Sequence, residues 1–260
     1  MPDPIATRCL RLAWEGWCAG TLPVGAVVTD AAGTVVAAER GRMFGSAPGP
    51  GRLAGCAIAH AEINTLAQLP VAGQRPDHTL HVSLEPCLMC VGAAGMAALG
   101  RLRFLGADPY AGASRHYRRT PHLDELPLRV DGPVRGPAGA LGSALHLAYY
   151  LRTQPDAPAV AVHRRVMPEL FDLARRIVAL DARQPDASAA GLFDLVTEHP
   201  ACTEHPVGQL AGAEHLAGQH AGTEHPDGRH AVTGDPAGRL GGAGDPAAGE
   251  QPAGEEAGRR

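Results

Sequence analysis

Two short motifs gather the residues that could do chemistry, His60-Ala-Glu62 and Pro86-Cys87-Leu-Met-Cys90. Cysteines three apart lie about 60° around a helix, so both sulfurs can reach one ion from its first turn. The unpaired amide N–H groups of that turn favour thiolate over thiol, the form a metal requires. A nitrogen of His60 makes a third ligand. Three protein ligands leave the fourth tetrahedral position of a zinc ion open to water, whereas a closed structural site takes a fourth ligand. Glu62 cannot share a helical face with His60, because two steps turn the chain by about 200°. The two converge on one ion only if His60 stands at the helix start, with the approaching loop setting its direction. Glu62 then lies beside the ion as a proton carrier and not as a ligand.

The flanking patterns supply the elements that must hold these motifs. Pro4 to Gly20 reads as a helix, with Ile5, Cys9, Leu12, Ala13 and Trp17 on an apolar stripe. That stripe places Trp14 and Trp17 in core packing rather than on a base. Val24–Thr29 and Thr34–Ala38 form a hairpin around Asp30–Gly33. Residues 39–58 make a long Gly- and Pro-containing connection, read as a wall of the site because it delivers the chain to His60. His60 to Leu69 is helical and Pro70 stops it, Thr79–Leu84 alternates as a strand, Pro86–Leu99 is a second helix, and Leu102–Leu105 is another strand. Leu80, Val82 and Leu84 share one face of their strand, which puts His81 on the other as a sheet histidine. Further helices are expected over Leu141–Arg152 and Pro168–Leu180, packed on the same domain. The order predicts a three-layer α/β/α fold with a mixed central sheet, its later strands parallel, and extra C-terminal helices. His78, His122, His146 and His163 show no spacing that marks a site.

Composition divides the 260 residues in two. Residues 1–196 carry 19 Arg and 17 acidic residues, whereas 197–260 carry 4 Arg and 10 acidic residues. The latter stretch has 13 Gly and 6 Pro, lacks Phe, Trp, Tyr, Ile and Met, and repeats a degenerate ten-residue unit from 201 to 250. No apolar position recurs in each unit, so a solenoid has nothing to bury. The expected organisation is a folded domain over 1–196 and a disordered acidic tail over 197–260. A net charge of +2 on the first part excludes the broad positive field of a nonspecific nucleic-acid binder. Arg115, His116, Arg118 and Arg119 read either as a local contact for a polynucleotide backbone or as a solvated turn. No run of eighteen uncharged apolar residues is present, so no membrane partner is expected. Six scattered cysteines without a signal peptide fit a reducing, cytoplasmic setting, with Cys9, Cys18 and Cys56 as small buried apolar groups.

The two motifs resemble those of the zinc-dependent cytidine/deoxycytidylate deaminase superfamily, whose signature is H-x-E followed by P-C-x-x-C. Within it, Leu84-Glu-Pro-Cys-Leu-Met-Cys90, Pro23-Val-Gly-Ala-Val-Val28, His60-Ala-Glu-Ile-Asn64 and Gly106-Ala-Asp-Pro109 look most like the bacterial tRNA adenosine deaminase and guanine deaminase branch. The similarity covers roughly residues 5–112. It implies a cytidine-deaminase-like fold, zinc held by His60, Cys87 and Cys90, and Glu62 as proton shuttle. It also implies that Ala61 helps hold the base and that Glu85 shapes the site without binding metal. Relatives usually place a base- or sugar-binding asparagine where alignment puts Gly41, and Asn64 is the only asparagine in this chain. The implied activity is hydrolytic deamination of a nucleobase amine, first of adenosine in tRNA, otherwise of a free nucleoside or purine base. A zinc-stabilised binding protein without turnover is the alternative of a different class. The resemblance further implies a homodimer.

Overall fold

The computed structural model describes residues 3–45, 49, 51–71, 74–116 and 128–180. The expected acidic tail over 197–260, with Cys202, lies outside them, as do Arg118, Arg119 and His122.

Helix α1 (Pro4–Cys18) begins where the Asp3 side chain accepts the Ile5 amide, with Pro4 preset for the first turn. Strands β1 (Gly25–Thr29) and β2 (Val35–Arg40) form the expected hairpin. Asp30 closes it by accepting the amides of Ala32 and Thr34. There follow α2 (Ala61–Leu66), β3 (Arg75–Leu84), α3 (Leu88–Met96), β4 (Leu99–Gly106) and β5 (Arg129–Asp131). Helices α4 (Pro137–Thr153), α5 (Pro158–Val166) and α6 (Leu170–Val178) complete the described chain.

The sheet has the order β2-β1-β3-β4-β5. β1 is antiparallel to β2 and β3, while β4 runs parallel to β3 and β5, so the crossover through α3 makes the later strands parallel as the element order requires. Alternation sorts side chains between two cores. Ala26, Val28, Leu80, Val82 and Leu84 pack with Ala61, Val91 and Ala94 from α2 and α3. Val27 and Leu105 pack with α1, α4 and α6 on the opposite face. The fold is therefore the mixed α/β sandwich of the cytidine-deaminase type, with added C-terminal helices sharing a layer with α1.

That sharing corrects several details. On α1 the buried residues are Ala6, Cys9, Leu10, Ala13, Trp14, Gly16 and Trp17, a stripe rotated from the expected one because α4 covers its flank as the sheet covers its base. Trp14 and Trp17 stack within this core, and the Arg152 guanidinium of α4 lies 3.5 Å from the Trp17 ring centroid. α4 sits so near the sheet that a Cβ at Gly142 would come within 2.1 Å of the Ser83 carbonyl oxygen. Cys9 is fully buried, but Cys18 and Cys56 are only half-buried. β5 and α5 were not expected. Three residues carry too little pattern for β5, whereas α5 shows its signals in Pro158 at the start and Arg164 and Arg165 in the last turn. Among the described residues, no helix is long and apolar enough to cross a membrane.

Candidate metal centre and its pocket

His60 and Cys87 occupy equivalent places. Each is the residue before a helix, in extended conformation, with φ and ψ of −72° and 157° for His60 and −71° and 171° for Cys87. This backbone directs the His60 ring away from the face that α2 presents to the sheet, and Cys90 comes from the first turn of α3. The three donor atoms converge: Cys87 Sγ to Cys90 Sγ is 3.6 Å, Cys87 Sγ to His60 Nδ1 is 3.7 Å, and Cys90 Sγ to His60 Nδ1 is 3.5 Å. Two sulfurs about 2.3 Å from a tetrahedral zinc lie ~3.8 Å apart, and a sulfur and a nitrogen slightly less. The cluster thus has the edge lengths of three corners of a zinc tetrahedron without rearrangement. A backbone hydrogen bond with Ala57 fixes the His60 ring from behind.

The electrostatics favour a thiolate at Cys87 and a proton on Cys90. The hydrogen bond from Cys90 is the largest influence pulling the Cys87 thiol down to about 4, and His60 adds to it against the cost of burial. The same bond, followed by burial, pushes Cys90 upward. His60 is raised by its hydrogen bond to Cys87. Glu62, 3% exposed, is raised by burial and reaches Cys90 with its carboxyl group, so it stands at the metal trio as a carboxyl that can hold a proton.

His60, Glu62 and Cys87 line a cavity of about 170 Å³ with Leu22, Val24, Gly41, Met43, Ala61, Leu84, Glu85, Asp108, Ala111, His146 and Tyr150. The cavity is below the roughly 300–1,000 Å³ of pockets for drug-sized ligands, a size for one base rather than a whole nucleotide. The structure therefore brings together His60, Ala61, Glu62, Cys87, Glu85 and Gly41. Glu85 does not join the metal trio. Its Oε2 accepts the Asp108 amide at 3.3 Å, and its Oε1 accepts the Ser114 hydroxyl at 2.5 Å, tying the loop after β4 to the end of β3. Gly41 is held by its amide on the Val24 carbonyl at 2.9 Å. Asn64 is occupied elsewhere, exchanging two hydrogen bonds with the Leu53 backbone in the 39–58 connection. His81 bonds Thr29 Oγ1 at 3.1 Å as a sheet histidine. Sequence spacing missed Asp108, His146 and Tyr150. The Gly106-Ala-Asp-Pro109 match was the available sign for Asp108, but nothing in the spacing pointed to a site at His146 or Tyr150 on α4.

The site is thus a candidate zinc centre of two cysteines and a histidine beside a buried carboxyl, set in an α/β sandwich. The family model of the cytidine and deoxycytidylate deaminase zinc-binding region matches residues 4–105. A tRNA(Ile)-lysidine synthase of Deinococcus radiodurans is 41% identical over 109 residues, 41% of this chain but only 17% of that protein. Among solved structures, a tRNA:A34 deaminase is 27% identical with a TM-score of 0.41, covering 49% of this chain and 96% of its own. A guanine deaminase from Bacillus subtilis is 27% identical with a TM-score of 0.35, covering 42% of this chain and 66% of its own.

Proposed function

We propose that the chain is a hydrolytic deaminase in which His60, Cys87 and Cys90 hold zinc, and that its substrate is adenosine in tRNA. The observation that carries the deaminase reading is the placement of Glu62, buried and protonatable, against a three-ligand site on a cavity of one-base size. Zinc held there supplies a Lewis acid able to bring the pKa of water to about 7. In its ionised form Glu62 takes one proton from the attacking water and delivers it to the ring nitrogen beside the reacting carbon, then takes the second from the newly added hydroxyl and hands it to the departing amine. The carbon–nitrogen bond breaks, ammonia leaves, and the base retains the oxygen of water. Ala61 and Gly41, lacking bulk, leave room for the base, while Glu85 holds the loop that carries Asp108 and Ala111 to the cavity.

The tRNA substrate is supported by the 41% identical segment within a protein named for a reaction on tRNA(Ile). A cavity this small admits a base flipped out of a polynucleotide and a free base alike. The near-neutral charge of residues 1–196 favours a second reading, a free purine base or nucleoside. Ammonia release from tRNA, nucleotides, nucleosides and free bases tests both. Turnover of tRNA well above that of every small substrate supports the first reading, the reverse order replaces it, and silence across the panel leaves a zinc-stabilised binding protein.

A further inference from the structure

A second cluster borders the same cavity. Asp108, His146 and His163 are 6%, 2% and 0% exposed, and one donor atom from each lies within 4.8 Å of the others. Asp108 is divided between two tasks. Its Oδ1 accepts the amides of Tyr110 and Ala111 at 2.9 and 3.0 Å, while its Oδ2 lies 4.0 Å from His146 Nε2. His163 Nδ1 donates to the Ala159 carbonyl at 2.8 Å, since a carbonyl can only accept. That bond fixes the tautomer and leaves the lone pair on Nε2. His163 Nε2 and His146 Nδ1 are both buried without a hydrogen-bond partner. Burial pushes His163 down to about 4 and lowers His146 as well, so both rings are neutral and carry lone pairs at neutral pH.

Buried polar atoms are nearly always satisfied, and the exceptions call for an occupant. Water could bridge the nitrogens, but it brings no charge to Asp108. Among the described residues, the partner of this carboxylate closest to an ion pair is the His146 imidazole, 4.0 Å away. A cation bound by Asp108, His163 Nε2 and one nitrogen of His146 answers the charge on Asp108 and the orphaned nitrogen of His163. Two imidazoles with one carboxylate suit borderline transition ions, whereas magnesium and calcium favour all-oxygen shells.

We infer that Asp108, His146 and His163 form a second metal site, for a divalent transition ion of the zinc, cobalt or iron(II) class. Asp108 and His146 line the cavity and His163 does not, so open positions on the ion face the space a base would fill. The 4.0 Å between Asp108 Oδ2 and His146 Nε2 exceeds the 3.5–3.7 Å of the His60, Cys87 and Cys90 trio, and the cluster has no thiolate, so this site fills second and empties first under a chelator. It stands whether or not the chain deaminates a base.

Cobalt titration of the metal-stripped full chain tests it. Cobalt on Cys87 and Cys90 gives an intense thiolate charge-transfer band, whereas the second site adds weak visible bands alone. Asp108→Asn keeps Oδ1 for the loop amides, and His163→Gln removes the ligating nitrogen. Each is expected to bind one equivalent fewer than the parent with the charge-transfer band intact, which also reports the fold. The histidines of 197–260 load equally in all three chains, so the difference is the readout. Equal uptake in parent and variants overturns the site and leaves a water-bridged polar contact. In the unaltered chain, the imidazole nitrogen shift of His163 should move as zinc is added beyond the first equivalent. No movement overturns the proposal even where the variants fail to fold.

Discussion

Cys90 Sγ stands 3.5 Å from His60 Nδ1, although thirty residues separate them in the chain. The two meet because α2 and α3 pack side by side on one face of the sheet, and each begins with a residue whose extended backbone is still set by the preceding strand or loop. Helix starts are where a side chain can leave the helical face pattern, and both His60 and Cys87 use that freedom. The backbone amide of Cys90 in the first turn of α3 helps to stabilise a thiolate at Cys87.

Removing one ligand should therefore uncouple metal from fold. Cys87→Ala is expected to lose the tightly held zinc on dialysis, measured by elemental analysis against the parent. Zinc present at about a thousand times its Kd contributes ~4 kcal/mol to the folded state. At roughly 2–4 °C per kcal/mol for a domain of this size, the thermal midpoint should fall by about 10 °C. Retention of the parent's zinc content would remove Cys87 from the ligand set.

Glu62 carries a different expectation. Glu62→Gln preserves volume in a position only 3% exposed, so fold and zinc content should survive. General acid–base transfer is worth roughly 10²–10⁴-fold, and this carboxyl serves more than one proton transfer, so turnover should fall by at least that factor. The check is kcat for ammonia release alongside zinc content. An unchanged kcat would exclude Glu62 as the shuttle, and loss of zinc would make it a ligand.

How much of this was legible from the residues follows from which interactions are local. The H-x-E and P-C-x-x-C spacings predict His60 at a helix start and both cysteines within reach of one ion, because these are matters of a single turn. The alternation of Leu80, Val82 and Leu84 likewise assigns both faces of β3. The helices came out with shifted ends. α2 stops at Leu66 rather than Leu69, and β3 starts at Arg75 rather than Thr79, since tertiary pairing with β4 decides where β3 begins. What did not follow was the part of the cavity supplied by α4. His146 and Tyr150 reach it because Gly142 and Gly106 let α4 lie against the sheet, and no periodicity within α4 encodes that approach.

His81 makes a pH prediction. Burial is the main cause that lowers it to about 4 from 6.5, with Arg103 and Arg101 adding to the shift and Asp3 opposing it. Between those values the unfolded chain binds the proton and the folded chain does not, so acidification through this window favours unfolding. His81→Gln can keep the hydrogen bond to Thr29 but cannot titrate. Urea midpoints at pH 6.5 and pH 4 should show a smaller loss of stability in the variant, by on the order of 2 kcal/mol. Protonation of the zinc ligands acts equally in both chains and cancels. Parallel declines would mean that His81 is protonated in the folded protein.

Gly41 is one of the residues that line the cavity. Its amide donates to the Val24 carbonyl at 2.9 Å, so the backbone there is anchored and cannot retreat. A Cβ at this position would lie 3.1 Å from the Leu22 carbonyl oxygen, tight enough to shift backbone that, with Gly41, lines a cavity of only about 170 Å³. One methyl group in a closely fitted pocket changes discrimination by about 10–200-fold. Gly41→Ala should therefore lower kcat/KM on the preferred substrate by roughly tenfold or more, mainly through KM, because the wall touches ground state and transition state alike. Zinc content should stay at the parent's level, since neither Gly41 nor Leu22 belongs to the metal trio. Steady-state kinetics on the substrate identified by ammonia release decides it. An unchanged kcat/KM with unchanged zinc would show that the base does not approach the chain at Gly41, and would move the specificity wall to the loop of Asp108 and Ala111.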